Sequence, residues 1–136
     1  MTIRPYLHYN DGEILHLYGS VGWSFYVQHP DVLEKGIANS LCVLGAYDED
    51  KLVGLIRCVG DGCTILFIQD LLVLPEYQRR GIGTALMEDV LNRYARVYQI
   101  ELATDNTEKT KAFYRSLGFR ALDEIGCCGF MRNGEM

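Results

Sequence analysis

Residues Gln78, Arg79, Arg80, Gly81, Ile82, Gly83 and Thr84 stand between an apolar run, 68–74, and the start of an amphipathic one. An apolar strand that stops at Pro75, a glycine-bearing turn and then a helix start is the order of a phosphate site. The first N–H groups of a helix lack intrahelical partners, and the helix dipole places positive charge beside them. Gly81 and Gly83 keep side-chain carbon out of the space phosphate oxygens would enter, and they tolerate the φ values such turns require. A second chemical signal is Asp70, a carboxylate inside an otherwise apolar strand. Burying a charge there is expensive unless it is used or paired. Asp70 is therefore either a general base lining a cleft or a structural hydrogen-bond partner of a neighbouring turn.

The elements that must position these groups follow from spacing. Residues 2–6 read as a short strand, and Ile14, Leu15, Tyr18 and Val21 recur at helical spacing from Asp11 until Gly22 and Trp23. Pro30 and Asp31 open a second helix that ends near Asn39. Strands over 41–47 and 52–59 are joined by the acidic turn at 48–50, and Gly60-Asp61-Gly62 leads into the strand carrying 68–73. After the glycine loop, Leu86, Met87, Val90, Leu91 and Tyr94 form one apolar stripe, with Arg93 and Arg96 at the helix end that favours cations. A strand over 97–104 precedes a helix that starts at Asp105-Asn106-Thr107-Glu108 and is capped by Gly118. Strands over 119–122 and 126–132 are expected to complete the sheet. The expected class is α/β, a mixed and mostly antiparallel sheet flanked by about four helices, in one domain over 1–136.

A chain of 136 residues with 49% hydrophobic content can bury an adequate core. Its formal net charge of −5 argues against general affinity for nucleic acid or anionic membrane. It has neither a membrane-length apolar stretch nor a leader-like N-terminus, so a cytoplasmic location is expected. Five cysteines, mostly within apolar runs and without metal-ligand spacing, read as buried reduced thiols, and no metal is expected. Cys127 and Cys128, adjacent on a strand, would point to opposite faces.

Gln78-Arg79-Arg80-Gly81-Ile82-Gly83 matches the acyl-CoA loop of the GNAT acetyltransferase superfamily, Gln/Arg-x-x-Gly-x-Gly/Ala between a strand and a helix. Asn106, then Ala112-Phe113-Tyr114 and Leu117-Gly118-Phe119, match its closing signature in the right order. The chain thus resembles that superfamily over nearly its whole length. The resemblance implies acetyl-CoA as co-substrate and a V-shaped splay between the fourth and fifth strands, where the pantetheine arm pairs with backbone of Leu72, Val73 and Leu74 in a form of β-augmentation. It implies that the N–H groups of Arg79, Arg80, Gly81, Ile82, Gly83 and Thr84 hold the pyrophosphate, while Gln78 shapes the loop. Asn106 would bond the pantetheine, and Phe113 would pack beside it.

Acetyl transfer to an amine requires a proton to leave an ammonium whose pKa is near ~10, and a proton to reach the departing thiolate. Tyr114 resembles the family's general acid; a packing role against the cofactor is the alternative. Asp70 and Asp105 are the candidate bases, Asp105 otherwise serving to cap the last helix. Trp23, Phe25 and Tyr26 lie where the acceptor pocket is expected, either as an aromatic wall for an amphipathic amine or as lid packing. Asp61 and the acidic turns would draw a cation toward it. An early Val-Gly-Trp, Gly-Asp-Gly in the hairpin and Gln-Asp before the loop are also similar to the serotonin or arylalkylamine branch of the superfamily. The expected function is N-acetylation of a small-molecule amine by direct transfer; protein lysine or N-terminal acetylation and non-catalytic acyl-CoA binding are the alternatives. The apolar segment with Gly129, Phe130 and Met131 offers a strand for a homodimer.

Overall fold

The computed structural model describes residues 1–135. The chain divides into two compact units, Met1–Ala103 and Thr104–Met136. The first carries β1 (Thr2–Pro5), α1 (Asp11–Ser20), the one-turn α2 (Ser24–Gln28), α3 (Pro30–Ala38), β2 (Cys42–Asp48), β3 (Lys51–Gly60), β4 (Ile65–Val73), α4 (Ile82–Arg93) and β5 (Gln99–Leu102). The strands lie in one sheet in sequence order. The first three pairings are antiparallel and β4 with β5 is parallel. Hairpin turns connect the middle strands, whereas the parallel β5 is reached through a helical crossover, α4.

The β3–β4 turn is held by one side chain. Asp61 accepts from the N–H groups of Cys63, Thr64 and Ile65 at 2.8, 2.7 and 3.1 Å, and from the Thr64 hydroxyl at 2.6 Å. These bonds, the Thr64 hydroxyl foremost, hold the Asp61 carboxyl well below the usual carboxylate range. Asp61 thus serves to fix the hairpin, as an ionised carboxylate with four hydrogen bonds. Before it, Gly60 adopts φ 136°, and a Cβ there would stand 2.3 Å from the Ile65 carbonyl oxygen.

β3 is buried from Leu52 to Cys58, which requires cover on both faces. A Cβ on Gly54 would meet Ile82 at 3.2 Å and Leu86 at 3.4 Å, so α4 lies against the face bearing Gly54. The opposite face carries Arg57, against α3, where a Cβ on Gly36 would stand 3.4 Å from its Nη1. Arg57 pairs with Asp70 and Cys58 with Ile68, which leaves Gln69 as the extra residue of a β-bulge on β4. Beyond the bulge Asp70 shares a face with Arg57.

The second unit carries α5 (Glu108–Ser116) and a 3-10 turn over Leu122–Ile125. Thr107 caps α5 by accepting from the Thr110 N–H at 3.3 Å. Gly118, at φ 92°, closes it, and the Phe119 N–H reaches back to the Tyr114 carbonyl at 3.1 Å. The two final strands expected over 119–122 and 126–132 are absent. Arg115 instead bonds Glu124 at 2.7 Å and fixes the 3-10 turn. Among the described residues, no backbone N–H of 128–135 donates to a backbone carbonyl. A strand-forming composition yields no strand without a neighbour to complete the ladder. The cysteines also differ from expectation: all five are free, but only Cys58 is buried, while Cys63, Cys127 and Cys128 are exposed.

The close approach at Gly54 sets where the N-terminus of α4 lies. Gly54→Val should destabilise the fold by about 1–3 kcal/mol through overpacking, read as a lowered urea midpoint.

Candidate functional site

After β4 the chain makes a 3-10 turn, Pro75–Tyr77, in which the Tyr77 N–H bonds the Leu74 carbonyl at 2.8 Å. The Gln78 side-chain amide donates back to the Val73 carbonyl at 3.0 Å and ties the loop to the strand. Arg79 (φ 65°) and Gly81 (φ 80°) are both left-handed. At Arg79, with its Cβ, that conformation costs about 1 kcal/mol or more. Left-handed residues of this kind turn successive N–H groups toward one concavity. α4 begins directly afterwards, its first bond running from the Ala85 N–H to the Gly81 carbonyl at 3.0 Å. Among the described residues, the N–H groups of Arg79, Arg80, Gly81, Ile82, Gly83 and Thr84 donate to no protein acceptor. No atom lies within 4 Å of where a Gly81 Cβ would stand. Six free donors, a helix N-terminus and an open glycine face fit a diphosphate. Arg80 lies over the Tyr77 ring at 4.8 Å, and the Tyr77 hydroxyl is anchored to Asp48 at 2.7 Å.

Beside the loop, β4 stays paired with β3 to Val73, whereas its pairing with β5 ends at Ile68 and Leu102. The sheet therefore splays between the fourth and fifth strands, leaving the later part of β4 with an open edge. Leu74 donates to the Val53 carbonyl at 2.8 Å, and by alternation Leu72 also faces β3. Leu72 and Leu74 are thus corrected as backbone partners of a ligand. Leu71 and Val73 point to the open edge, and the Val73 carbonyl is taken by Gln78.

Asp70 is 2% exposed and does not face a cleft. Its Oδ2 accepts from Arg57 Nε at 2.7 Å and from the Tyr18 hydroxyl at 2.8 Å. Arg57 extends to the Ser40 hydroxyl at 3.3 Å, and Ser40 donates onward to the Gly36 carbonyl at 2.8 Å. Burial, and then the charge of Asp70, push the Tyr18 phenol far above its ordinary value, so it remains a donor. Asp70 is thus paired, and its partners lie on α1 and β3 rather than in the neighbouring turn expected of a structural hydrogen bond. Tyr18 and Arg57 escaped the sequence reading. Arg57 is the lone charge in the apolar run of β3, as Asp70 is in β4, and two such charges on consecutive strands signal a buried pair. Tyr18 lay within a helical apolar stripe, where a buried phenol also demands a partner.

Tyr18 also receives the aromatic segment. The Trp23 ring lies 5.8 Å away and the Tyr26 ring 5.3 Å away, edge-on. Both are half-buried, while Phe25 is exposed and stacks on His29 at 4.4 Å. The structure therefore joins Trp23, Tyr26 and Asp70 through one buried phenol.

In the second unit Tyr114 is half-buried, edge-on to Phe113 at 5.0 Å and to Phe119 at 6.0 Å. Burial raises its phenol above the ordinary value; the Thr104 hydroxyl opposes this and Asp105 adds to it. Asp105 and Asn106 are exposed just ahead of α5, and the capping role that was the alternative for Asp105 is filled by Thr107. Among the described residues, no cluster of three His, Cys, Asp or Glu side chains is arranged to hold a metal, and no helix is long and apolar enough to cross a membrane.

Comparison with known proteins gives a consistent set of likenesses. The family model described as "Acetyltransferase (GNAT) domain" matches residues 39–121. An uncharacterized N-acetyltransferase of Prochlorococcus marinus is 31% identical over 125 residues, covering 87% of this chain and 67% of that protein. A chloroplastic GCN5-related N-acetyltransferase of Arabidopsis thaliana is 37% identical over 75 residues, which is 54% of this chain and 28% of its own length. Among solved structures, a GNAT-family acetyltransferase of Streptococcus pneumoniae is 43% identical with a TM-score of 0.88, covering 99% of this chain and 98% of that one.

Arg57→Met should strand a buried carboxylate and cost about 3–5 kcal/mol of stability, measured by urea unfolding. The stranded Asp70 binds a proton more readily folded than unfolded, so the deficit against the parent should narrow as pH falls. Adding Asp70→Leu should recover most of the loss.

Proposed function

The chain belongs to the GNAT acetyltransferase family, and on that premise we propose that it is an acetyl-CoA-dependent N-acetyltransferase acting on a small primary amine. The observation that carries the reading is the run of six free backbone donors at the start of α4, beside the open edge of β4. Acetyl-CoA, when bound, supplies an acyl thioester. The N–H groups of Arg79, Arg80, Gly81, Ile82, Gly83 and Thr84 hold its pyrophosphate, Gln78 keeps the loop in shape, and Val73 with Leu71 offers backbone to the pantetheine arm. Asn106 and Phe113 contribute a hydrogen bond and packing to the same arm.

Tyr114 gives its proton to the leaving sulfur. A phenol raised by burial stays protonated through the neutral range, which is the form an acid needs. Asp70, locked to Arg57 and Tyr18, is reserved for structure. Asp105, exposed to solvent, takes the acceptor's proton through water. Trp23 and Tyr26 form a wall for the apolar body of an amine, and their contact with the buried Tyr18 supports a fixed wall.

Saturating CoA or acetyl-CoA should raise the Tm, and Gly81→Val should abolish that rise; because Gly81 is left-handed at φ 80°, the variant should also lose about 1–3 kcal/mol of unliganded stability while keeping a cooperative unfolding transition. No rise in the parent would overturn the assignment. Tyr114→Phe should keep CoA affinity and lower kcat about 10²-fold. On the alkaline side, the parent's kcat should fall only above pH ~10, as the phenol ionises, and the variant should lack that limb. Unchanged turnover in the variant would reduce Tyr114 to packing.

Ranked by kcat/KM, a tryptamine-like amine should exceed spermidine and a lysine peptide by roughly five-fold, the worth of one aromatic contact of ~1 kcal/mol. Trp23→Ala should erase the preference. A peptide that outranks both amines would transfer the assignment to protein acetylation.

A further inference from the structure

Cys42 and Cys58 stand directly opposite one another in the ladder between β2 and β3, and both thiols are free. Residues so paired project to the same face of a sheet. That face is the one α4 covers, because Cys58 lies two alternations along β3 from Gly54, whose Cβ would meet Ile82 and Leu86. Cys58 is fully buried and Cys42 half-buried. Burial raises the Cys42 thiol, and the Tyr94 hydroxyl and Arg93 charge at the end of α4 oppose it, so both groups stand beside this sulfur. Spacing along the chain does not reveal the pair, because only the ladder brings the two thiols together.

The kind of pairing decides what two thiols can do here. The Tyr6 N–H bonds the Val43 carbonyl at 2.9 Å, so Val43 turns its backbone to β1 and Cys42, by alternation, turns its own to β3. The Cys58 carbonyl points back toward β2, accepting from the Leu41 N–H at 2.9 Å. Cys42 and Cys58 thus form a hydrogen-bonded pair, the wider of the two antiparallel kinds, with Cβ atoms about 5.5 Å apart. A disulfide needs about 3.8 Å between Cβ atoms and about 2 Å between sulfurs. An ion held by two sulfurs at ~2.3 Å each spans up to about 4.6 Å between them, which suits the wider pair. The thiols also resist oxidation, since burial pushes Cys58 up to about 12 and the thiolate is the form that attacks.

We propose that Cys42 and Cys58 form a two-ligand site for a soft monovalent metal ion of the copper(I) class. On binding, both S–H bonds break, the two protons pass to solvent and two metal–sulfur bonds form, with no change of oxidation state. Thiolate ligands select copper(I) over harder ions. Among the described residues no cluster of three His, Cys, Asp or Glu side chains is arranged to hold a metal, which disfavours the four-ligand arrangement zinc requires. Two thiolates and one monovalent cation leave one negative charge. Arg93, which also holds Asp89, supplies the opposing charge, and the Tyr94 hydroxyl is a donor for the Cys42 sulfur.

The test uses the full chain carrying Cys63→Ser, Cys127→Ser and Cys128→Ser, three exposed positions, so that only Cys42 and Cys58 remain to bind. Copper(I) is supplied without oxygen as its coloured bicinchoninate complex, and the fall in absorbance on adding protein counts the ions transferred. The expected result is one ion per chain and a raised Tm in the loaded protein. Adding Cys42→Ser should abolish both the transfer and the rise. X-ray absorption of the loaded protein should show two sulfur ligands, a readout that holds however the variant folds. Four results would overturn the proposal: no transfer to the triply substituted chain, transfer that persists with Cys42→Ser, a coordination shell without two sulfurs, or loss of two hydrogens by mass after treatment with diamide. The last would mean that the sulfurs lie close enough for a disulfide.

Discussion

A buried ion pair between neighbouring strands is the constraint on which much of the first unit turns. Arg57 and Asp70 are 7% and 2% exposed, and removing two such charges from water costs several kcal/mol each before their attraction offsets it. That cost is met only if the two strands hold one register. The bulge at Gln69 is what brings Asp70 directly opposite Arg57 and on the same face. A slip of one residue would set an apolar side chain against the guanidinium and leave the carboxylate alone, so the pair penalises every other alignment of β3 on β4.

The pair also reaches beyond the sheet. Through the Tyr18 hydroxyl it fastens α1 to β4, and through Ser40 it fastens the end of α3 to β3. Trp23 and Tyr26 then pack on a ring that cannot shift without breaking a bond to a buried carboxylate. The aromatic segment owes its fixed position less to the short α2, which buries no residue of its own, than to this polar anchor behind it.

Once its register is fixed, β4 delivers the loop. Its edge toward β3 is paired up to Leu74, its edge toward β5 is open after Ile68, and the 3-10 turn that follows aims six N–H groups away from protein acceptors. Unpaired donors at a helix start are tolerable because they face open space, where water or an anion satisfies them. The left-handed Arg79 shows local conformational preference yielding to that arrangement.

The sequence alone determined the parts whose cause is local. The glycine loop, the helices over Asp11–Ser20, Pro30–Ala38 and Ile82–Arg93, and the three strands joined by hairpins were legible because turn chemistry and side-chain period act over a few residues. The motif around Tyr114 was legible for the same reason. Only the tertiary structure decided what Asp70 does, because its partners Arg57 and Tyr18 are 13 and 52 positions away and a bulge of one residue chooses between them and solvent. It likewise decided that Leu72 and Leu74 turn their backbone to β3, and that residues 126–132 form no strand. Pairing is a property of two segments, and the period of either one alone cannot specify it.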